Sequence, residues 1–415
     1  MSSDLDSRDP LDWLSQILWP DGLTRIQPGS PATGDTSSVG HMSWWASPSA
    51  DEPRVLIPAN SKLAARTAVT RYHDGFSTKR RLRSVLAENL TRNQRLASLT
   101  LGRTVVHAFP DASGGVLDEI AAVIGVADLK VAVSLSTPKS NQKPVLQLLD
   151  GSGRCHGWAK VAWNERTASL VGNEAHWLRW AEAAPHRTET SLEVPRVLED
   201  KTLSGRRVVI TSGVSPSRRP YRSADAAPPP EIFRAVAALG EVAVSPITET
   251  AWWRSVGDVL EFADPRERRA IDAVVEAVAD LQVETGAWHG DVTPWNLMTA
   301  PNRVQLIDWE FAAAGAPLGF DLCHFHTQVA SEMKAQSPAR SLDRSARLSP
   351  QGLAELGVAG DARWAVWQLY LVELIRRSAA LRAEGYPTDN VHFGAAAIDR
   401  LERIFGTSKV GASVK

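Results

Sequence analysis

The part of the chain richest in potential chemistry is His289-Gly290-Asp291-Val292-Thr293-Pro294-Trp295-Asn296, followed by Ile307-Asp308-Trp309-Glu310. Residues 297–299 and 303–307 are short apolar runs separated by the turn signal Pro301-Asn302, a pattern that predicts a β-hairpin. Closing that hairpin sets Asn296 beside Asp308, with Asp291 on the loop that feeds it. Two carboxylates and one amide oxygen then converge on one end of a sheet. These are hard oxygen donors of the kind Mg²⁺ prefers while it keeps positions for phosphate and water. Phosphoryl transfer also needs an acceptor-only side chain to orient an attacking hydroxyl, and Asp291 is placed for that role.

The elements around this hairpin can be read from their periodicity. Residues 129–137, 144–149 and 157–163 predict three strands, the last two joined by a Gly151-Ser152-Gly153 turn. Lys160 lies in the third strand, between Ala159 and Val161. Glu174 is expected to open a helix in which Glu174, Trp177, Leu178 and Ala181 share one face by i, i+3, i+4, i+7 spacing. A half-buried charge requires an opposite one, so Lys160 and Glu174 are candidates to pair. Taken alone, the two also fit an ordinary surface pair. Residues 266–285 predict a further helix, with Ile271, Val274, Val275, Val278 and Leu281 on one face and Gly286 as its stop. Residues 364–382 and 395–405 predict two more.

His289-Gly290-Asp291 with Pro294 and Asn296, Ile307-Asp308-Trp309, Gly315-Ala316-Pro317 and Asp321-Leu322 together resemble the aminoglycoside phosphotransferase and choline kinase family, relatives of the protein kinases. The resemblance covers about the last two thirds of the chain. It implies an α+β, protein-kinase-like two-lobe fold: a small antiparallel-sheet N-lobe over residues 128–213 and a mainly helical C-lobe over residues 214–405, preceded by an N-terminal extension over residues 1–127 and followed by a flexible tail from 406. It also implies a small-molecule kinase that uses ATP and Mg²⁺, with a small-molecule hydroxyl compound as acceptor. Asp291 would be the catalytic base, Asn296 and Asp308 the metal ligands, His289 a support for the catalytic loop and Asp321 its brace. Lys160 and Glu174 have the spacing of the strand lysine and helix glutamate that position ATP phosphates in this superfamily.

The nucleotide-covering loop departs from the protein-kinase pattern. A Gly-x-Gly-x-x-Gly sequence is absent, and Gly151-Ser152-Gly153 stands too close to Lys160 to cover phosphates. The loop at 136–143 is the alternative, with Ser136, Thr137, Ser140 and Asn141 offering hydroxyl, amide and backbone N–H groups. By order along the chain, the strand at 207–211 followed by Ser212 would be the hinge facing adenine. The C-terminal helices would form the acceptor pocket. Between Asp321 and Arg403 there are ten acidic and ten basic residues, no acidic surplus of the kind that suits a polycationic antibiotic. Sugars, amino alcohols and antibiotic-like molecules remain acceptors that the motif accommodates.

Composition sets the remaining bounds. A chain of 415 residues with 43% hydrophobic and 22% charged residues is long enough for two or three domains. A net charge of −1 argues against general affinity for nucleic acid. The two cysteines cannot build a disulfide framework, so a reducing cytoplasm is expected. The polar, acidic start reads as no signal peptide, and no apolar run is long enough to span a bilayer. Residues 27–53 read as a Ser-, Pro- and Gly-rich linker. Residues 54–103 hold eleven basic side chains against Asp74 and Glu88. That excess is either a solvated helix face or a docking surface for an anionic partner, and the extension carrying it is expected to be mixed helical.

Three rival readings compete with this one. Cys323-His324-Phe325-His326 lacks a second Cys or His pair at zinc spacing and is expected to begin a buried helix. Asp291, Asp308 and Asp321 could serve a metal-dependent hydrolase, but hydrolysis does not need the Lys160 and Glu174 pair. A nucleotide-binding pseudokinase or scaffold acting through the basic N-terminal region is the non-enzymatic alternative. Degenerate kinases usually lose the base, a metal ligand or the strand lysine, and all three are present here.

Overall fold

The computed structural model describes residues 9–20, 26–29, 42–72, 105–108, 114–135, 141–184, 191–213, 218–221, 223, 226–385 and 392–411. The chain divides into two compact units, Met1–Arg179 with Pro195–Ser215, and Trp180–Val194 with Pro216–Lys415.

The first unit is built on one antiparallel sheet. In chain order its elements are α1 (Pro10–Leu18), β1 (Gln27–Gly29), β2 (Met42–Ser47), β3 (Val55–Pro58), α2 (Lys62–Tyr72), β4 (Val105–Ala108), α3 (Val116–Ile124), β5 (Lys130–Ser134), β6 (Val145–Leu149), β7 (Cys155–Val161), α4 (Glu165–Ala183), β8 (Val197–Leu203) and β9 (Arg206–Thr211). The nine strands run in the order β1-β4-β2-β3-β5-β6-β7-β9-β8. Their alternation separates two cores. Val131, Val133, Leu146, Leu148, Ala159, Val161, Val208 and Ile210 face one side with α1 and α3. Ala132 and Leu149 face the other side with α2, as does Val209 with Val171 and Ala175 of α4.

This sheet corrects the expected layout of residues 1–127. Instead of a separate, mixed-helical extension, four of its segments are strands, and β3 pairs with β5 through Val55↔Ser134 and Leu56↔Val133. An open β5 edge would expose unpaired N–H and C=O groups, and the added strands cover it. The linker expected at 27–53 contains β1 and β2. Of the basic stretch 54–103, the described part is β3 and α2, and residues 73–103 lie outside the described residues.

The second unit is mainly helical. Its elements are the two-residue strands Leu192–Glu193 and Arg219–Pro220, then α5 (Pro230–Ala237), β10 (Ala243–Pro246), α6 (Ala251–Leu260), α7 (Pro265–Val278), β11 (Gln282–Trp288), β12 (Leu297–Ala300), β13 (Arg303–Leu306), β14 (Ala313–Pro317), α8 (Phe320–Gln328), α9 (Pro338–Glu355), α10 (Gly360–Ala383) and α11 (His392–Gly411). Helix α10 is buried along most of its length between Ala362 and Ala379, and the other C-terminal helices pack about it.

Two expectations fail here. The helix predicted over 266–285 ends at Val278, and β11 takes its last residues, burying Val283, Thr285 and Ala287 at a period of two between β10 and β14. The tail expected from 406 is helical as far as Gly411. Among the described residues, no helix is long and apolar enough to cross a membrane.

Candidate active site

In the second unit, β11 delivers the chain into the loop His289-Gly290-Asp291, and the β12–β13 hairpin returns it to Asp308. The hairpin pairs Leu297↔Leu306 through Ala300↔Arg303, with Asn302 at φ 57° in its turn. Gly290 has φ 80°, and a Cβ there would lie 2.5 Å from the Phe311 carbonyl oxygen, so a side chain is excluded on two counts. Asp308 is held at φ 71°, ψ 59°, a left-handed conformation that Asp tolerates better than most residues.

Each residue of the loop is fixed by a stated contact. Asn296 Nδ2 donates to Oδ2 and to the main-chain oxygen of Asp291, both at 2.9 Å. Asp321, on the first turn of α8, accepts the backbone N–H groups of His289 (2.8 Å) and Gly290 (3.0 Å), one on each carboxylate oxygen. Burial pushes the Asp321 carboxyl up, against the opposing pull of His289 and these two N–H groups.

The two ring nitrogens of His289 face different partners. Nε2 lies 3.1 Å from the Ile307 carbonyl and Nδ1 accepts the Asp291 N–H at 3.2 Å. A carbonyl only accepts and an N–H only donates, so the ring is the neutral Nε2–H tautomer. Its complete burial, which pushes its pKa down, acts in the same sense. His289 thereby ties the loop to the far strand of the hairpin, and the Trp309 ring packs edge-on against it at 4.7 Å.

Three neighbours of this loop escaped the sequence reading. His324 Nε2 lies 3.0 Å from Asp291 Oδ1, although 33 residues separate them. The available signal was helical spacing, because Asp321 and His324 are i, i+3 on α8 and share the face that meets the loop. Arg377 of α10 donates to the Gly290 carbonyl at 2.9 Å, and no local pattern connects residues 87 apart. Glu310 is buried, and its carboxylate lies within 4.8 Å of that of Asp308.

The donor set suits a hard cation. With its nitrogen committed to Asp291, Asn296 has Oδ1 to offer. Asp308, with Glu310 close by, supplies carboxylate oxygen, which is the chemistry Mg²⁺ selects.

In the first unit, Lys160 Nζ lies 2.5 Å from Glu174 Oε2. Ala159 and Val161 face the α1 and α3 core, which turns Lys160 to the face carrying α4. Glu174 sits in the middle of α4 and does not open it, as the sequence suggested, and its side chain is 4% exposed. Ser212, expected at the hinge, uses its hydroxyl oxygen and its amide on Arg196, at 2.9 and 2.8 Å. Asn141 is a half-buried turn residue, while Ser136, Thr137 and Ser140 lie outside the described residues.

A cavity of about 340 Å³ is lined by residues 228–230, Phe233, Leu322, His326 and part of α9. His326 follows His324 by two positions, roughly 200° around the helix axis. The cavity therefore lies on a different side of α8 from Asp291.

Residues 159–356 match the model of a family described as the phosphotransferase enzyme family. No curated protein matches the chain. Among solved structures it is similar to a choline/ethanolamine kinase family protein from Mesorhizobium loti, at 14% identity over 69% of this chain and 94% of that one, with a TM-score of 0.43. It is also similar to the choline kinase LicA from Streptococcus pneumoniae, at 12% identity over 70% and 99% with a TM-score of 0.45. A thermostable mutant of aminoglycoside phosphotransferase APH(4)-Ia gives 16% identity over 70% and 98% with a TM-score of 0.45.

Proposed function

We propose that the protein transfers the γ-phosphoryl group of ATP to a hydroxyl of a small molecule, a reading supported by the match of residues 159–356 to the model of the phosphotransferase enzyme family. The observation that carries this reading is the loop from His289 to Asn296. It presents a carboxylate, Asp291, that is 25% exposed and held at each of its oxygens. An anchored, acceptor-only group at a surface can orient a hydroxyl and take its proton.

In this mechanism Asp291 accepts the proton of the acceptor hydroxyl. The new O–P bond forms as the bond to the β–γ bridging oxygen breaks and ADP leaves. Asn296 and Asp308 would hold Mg²⁺, which would supply positive charge to offset that developing on the transferred phosphoryl group. Lys160, paired with Glu174, has the spacing of the lysine that meets nucleotide phosphate in the superfamily the chain resembles, and would do so here. Asp321, His289 and Arg377 hold the loop backbone so that Asp291 is already oriented when substrate arrives, and most of the rate comes from this positioning. Candidate acceptors are sugars, amino alcohols and antibiotic-like molecules. The two cysteines, Cys155 and the buried Cys323, are not joined in a disulfide, which suits a reducing cytoplasm.

The test is thermal stabilisation of the protein by ATP and GTP with and without Mg²⁺, followed by a panel of hydroxyl acceptors read by ADP release. Metal-dependent stabilisation by nucleotide and turnover with one acceptor class are expected. No stabilisation by either nucleotide would move the reading to a scaffold.

A further inference from the structure

We infer that His324 is a positioning residue for the phosphoryl-transfer base, holding Asp291 through an Nε2–H donor that is itself backed by Tyr370. The inference rests on the phosphotransferase reading above.

The three side chains form a chain from the surface inward. Asp291 Oδ1 lies 3.0 Å from His324 Nε2, and His324 Nδ1 lies 3.1 Å from Tyr370 Oη. Their exposure falls along that line: the Asp291 side chain is 25% exposed, that of His324 is 4%, and Tyr370 is fully buried. A buried Tyr-His pair would ordinarily be a satisfied core network. This one ends on the partly exposed carboxylate that meets the acceptor.

The carboxylate only accepts, so Nε2 must carry a hydrogen. Tyr370 can donate or accept, and therefore satisfies Nδ1 in either protonation state of the ring. Burial pushes the Tyr370 phenol well above its ordinary range, which keeps it O–H. Its Thr327 neighbour commits its own hydroxyl hydrogen to the Cys323 carbonyl at 2.8 Å.

Holding one carboxylate oxygen would leave Asp291 free to turn about its terminal torsion, which is broad and has no strong intrinsic preference. With Asn296 on Oδ2 and His324 on Oδ1, both oxygens are fixed. The remaining lone pairs then point where an acceptor hydroxyl can meet them. The proton taken from the acceptor goes to Asp291, and His324 keeps its own hydrogen throughout.

The experiment uses the full chain, with water as the phosphoryl acceptor and ADP release from Mg·ATP as the readout. Here the water oxygen bonds to the γ-phosphorus, the β–γ bridge bond breaks and Asp291 takes a water proton. His324→Leu should lower kcat by about 10- to 100-fold while KM for ATP changes by less than about threefold. His324→Gln, whose side-chain N–H can replace Nε2–H, should recover most of the loss, and Tyr370→Phe should fall between. Nitrogen-15 spectra of the ring, assigned with His324→Gln, should show Nε2 protonated.

Equal kcat in His324→Leu and wild type, or no rescue by His324→Gln, would overturn the role while leaving the phosphotransferase reading intact. A bare Nε2 would overturn it without reference to activity. A wild-type protein that neither binds nor hydrolyses Mg·ATP would remove the phosphotransferase reading and this inference together.

Discussion

Arg377 donates from Nη2 to the carbonyl oxygen of Gly290 at 2.9 Å, so helix α10 holds the backbone one residue before Asp291. The guanidinium is held in turn. Its Nε donates to Glu373 at 2.7 Å, and its Cζ lies 4.8 Å from the centre of the Trp288 ring. Glu373 is fully buried and also receives Arg376 at 2.7 and 2.8 Å and the Trp252 indole N–H at 2.8 Å. Burial alone would push this carboxyl up, but Arg376 and Arg377 outweigh it and hold it at about 2. Removing one partner of such a pair leaves buried charge uncompensated, at a cost of roughly 3–5 kcal/mol. Glu373→Leu should therefore lower the unfolding free energy, read from urea denaturation, by that amount, and an unchanged urea midpoint would show that the arginines do not depend on it. Arg377→Met leaves Glu373 with Arg376, so it should cost less stability while still loosening the loop.

The loop contacts also separate binding from turnover. Asp291→Ala removes the proton acceptor and should lower turnover by roughly 10²- to 10⁴-fold with little change in Mg²⁺-dependent ATP binding. Asp308→Ala should lose the metal-dependent part of that binding. Asn296→Ala removes both the amide donor to Asp291 and the oxygen offered to a cation, so both readouts should fall. Titration calorimetry with and without Mg²⁺ on the three variants checks this. Nucleotide affinity in Asp308→Ala equal to wild type would remove its metal role.

The Lys160 and Glu174 pair allows a test that needs no substrate. Lys160→Met leaves the buried Glu174 without its cation and should destabilise the protein by roughly 3–5 kcal/mol. Replacing both, with Lys160→Met and Glu174→Leu together, should recover much of that, because an apolar pair in place of a buried ion pair is often close to neutral. A double variant as unstable as the sum of the singles would mean that the two side chains do not act as a pair. Both forms should bind ATP more weakly than wild type.

What could be read from the sequence was local. The hairpin follows from turn chemistry at Pro301-Asn302, and Lys160 attracted notice as a cation between apolar strand neighbours. Strand β11 was missed because Leu281 fits the helical face of α7, and a short run of this kind satisfies either period. The N-terminal strands were missed for a different reason. Met42↔Ala108 and Leu56↔Val133 are non-local pairs, and nothing in a short apolar segment names a partner so far along the chain. His324 and Arg377 are of the same kind, since their chemistry depends on which helix face meets the loop.

His326 carries the prediction for pH. Burial, with Arg344 adding to it, holds the imidazole down at about 4, against an ordinary value of 6.5. The folded-state value is thus depressed, and protons bind the unfolded chain more readily. The neutral ring contributes its full stabilisation above pH 6.5, and that contribution is lost as pH falls from 6.5 through 4. The shift corresponds to on the order of 3 kcal/mol across that window. Urea midpoints at pH 7 and pH 4.5 should therefore differ more in wild type than in His326→Leu, which has no proton to take up there. His324→Gln, tested beside it, controls for the general effect of removing a buried imidazole from α8. If wild type and His326→Leu lose equal stability between the two pH values, the acid sensitivity arises elsewhere and His326 is not held neutral by its surroundings.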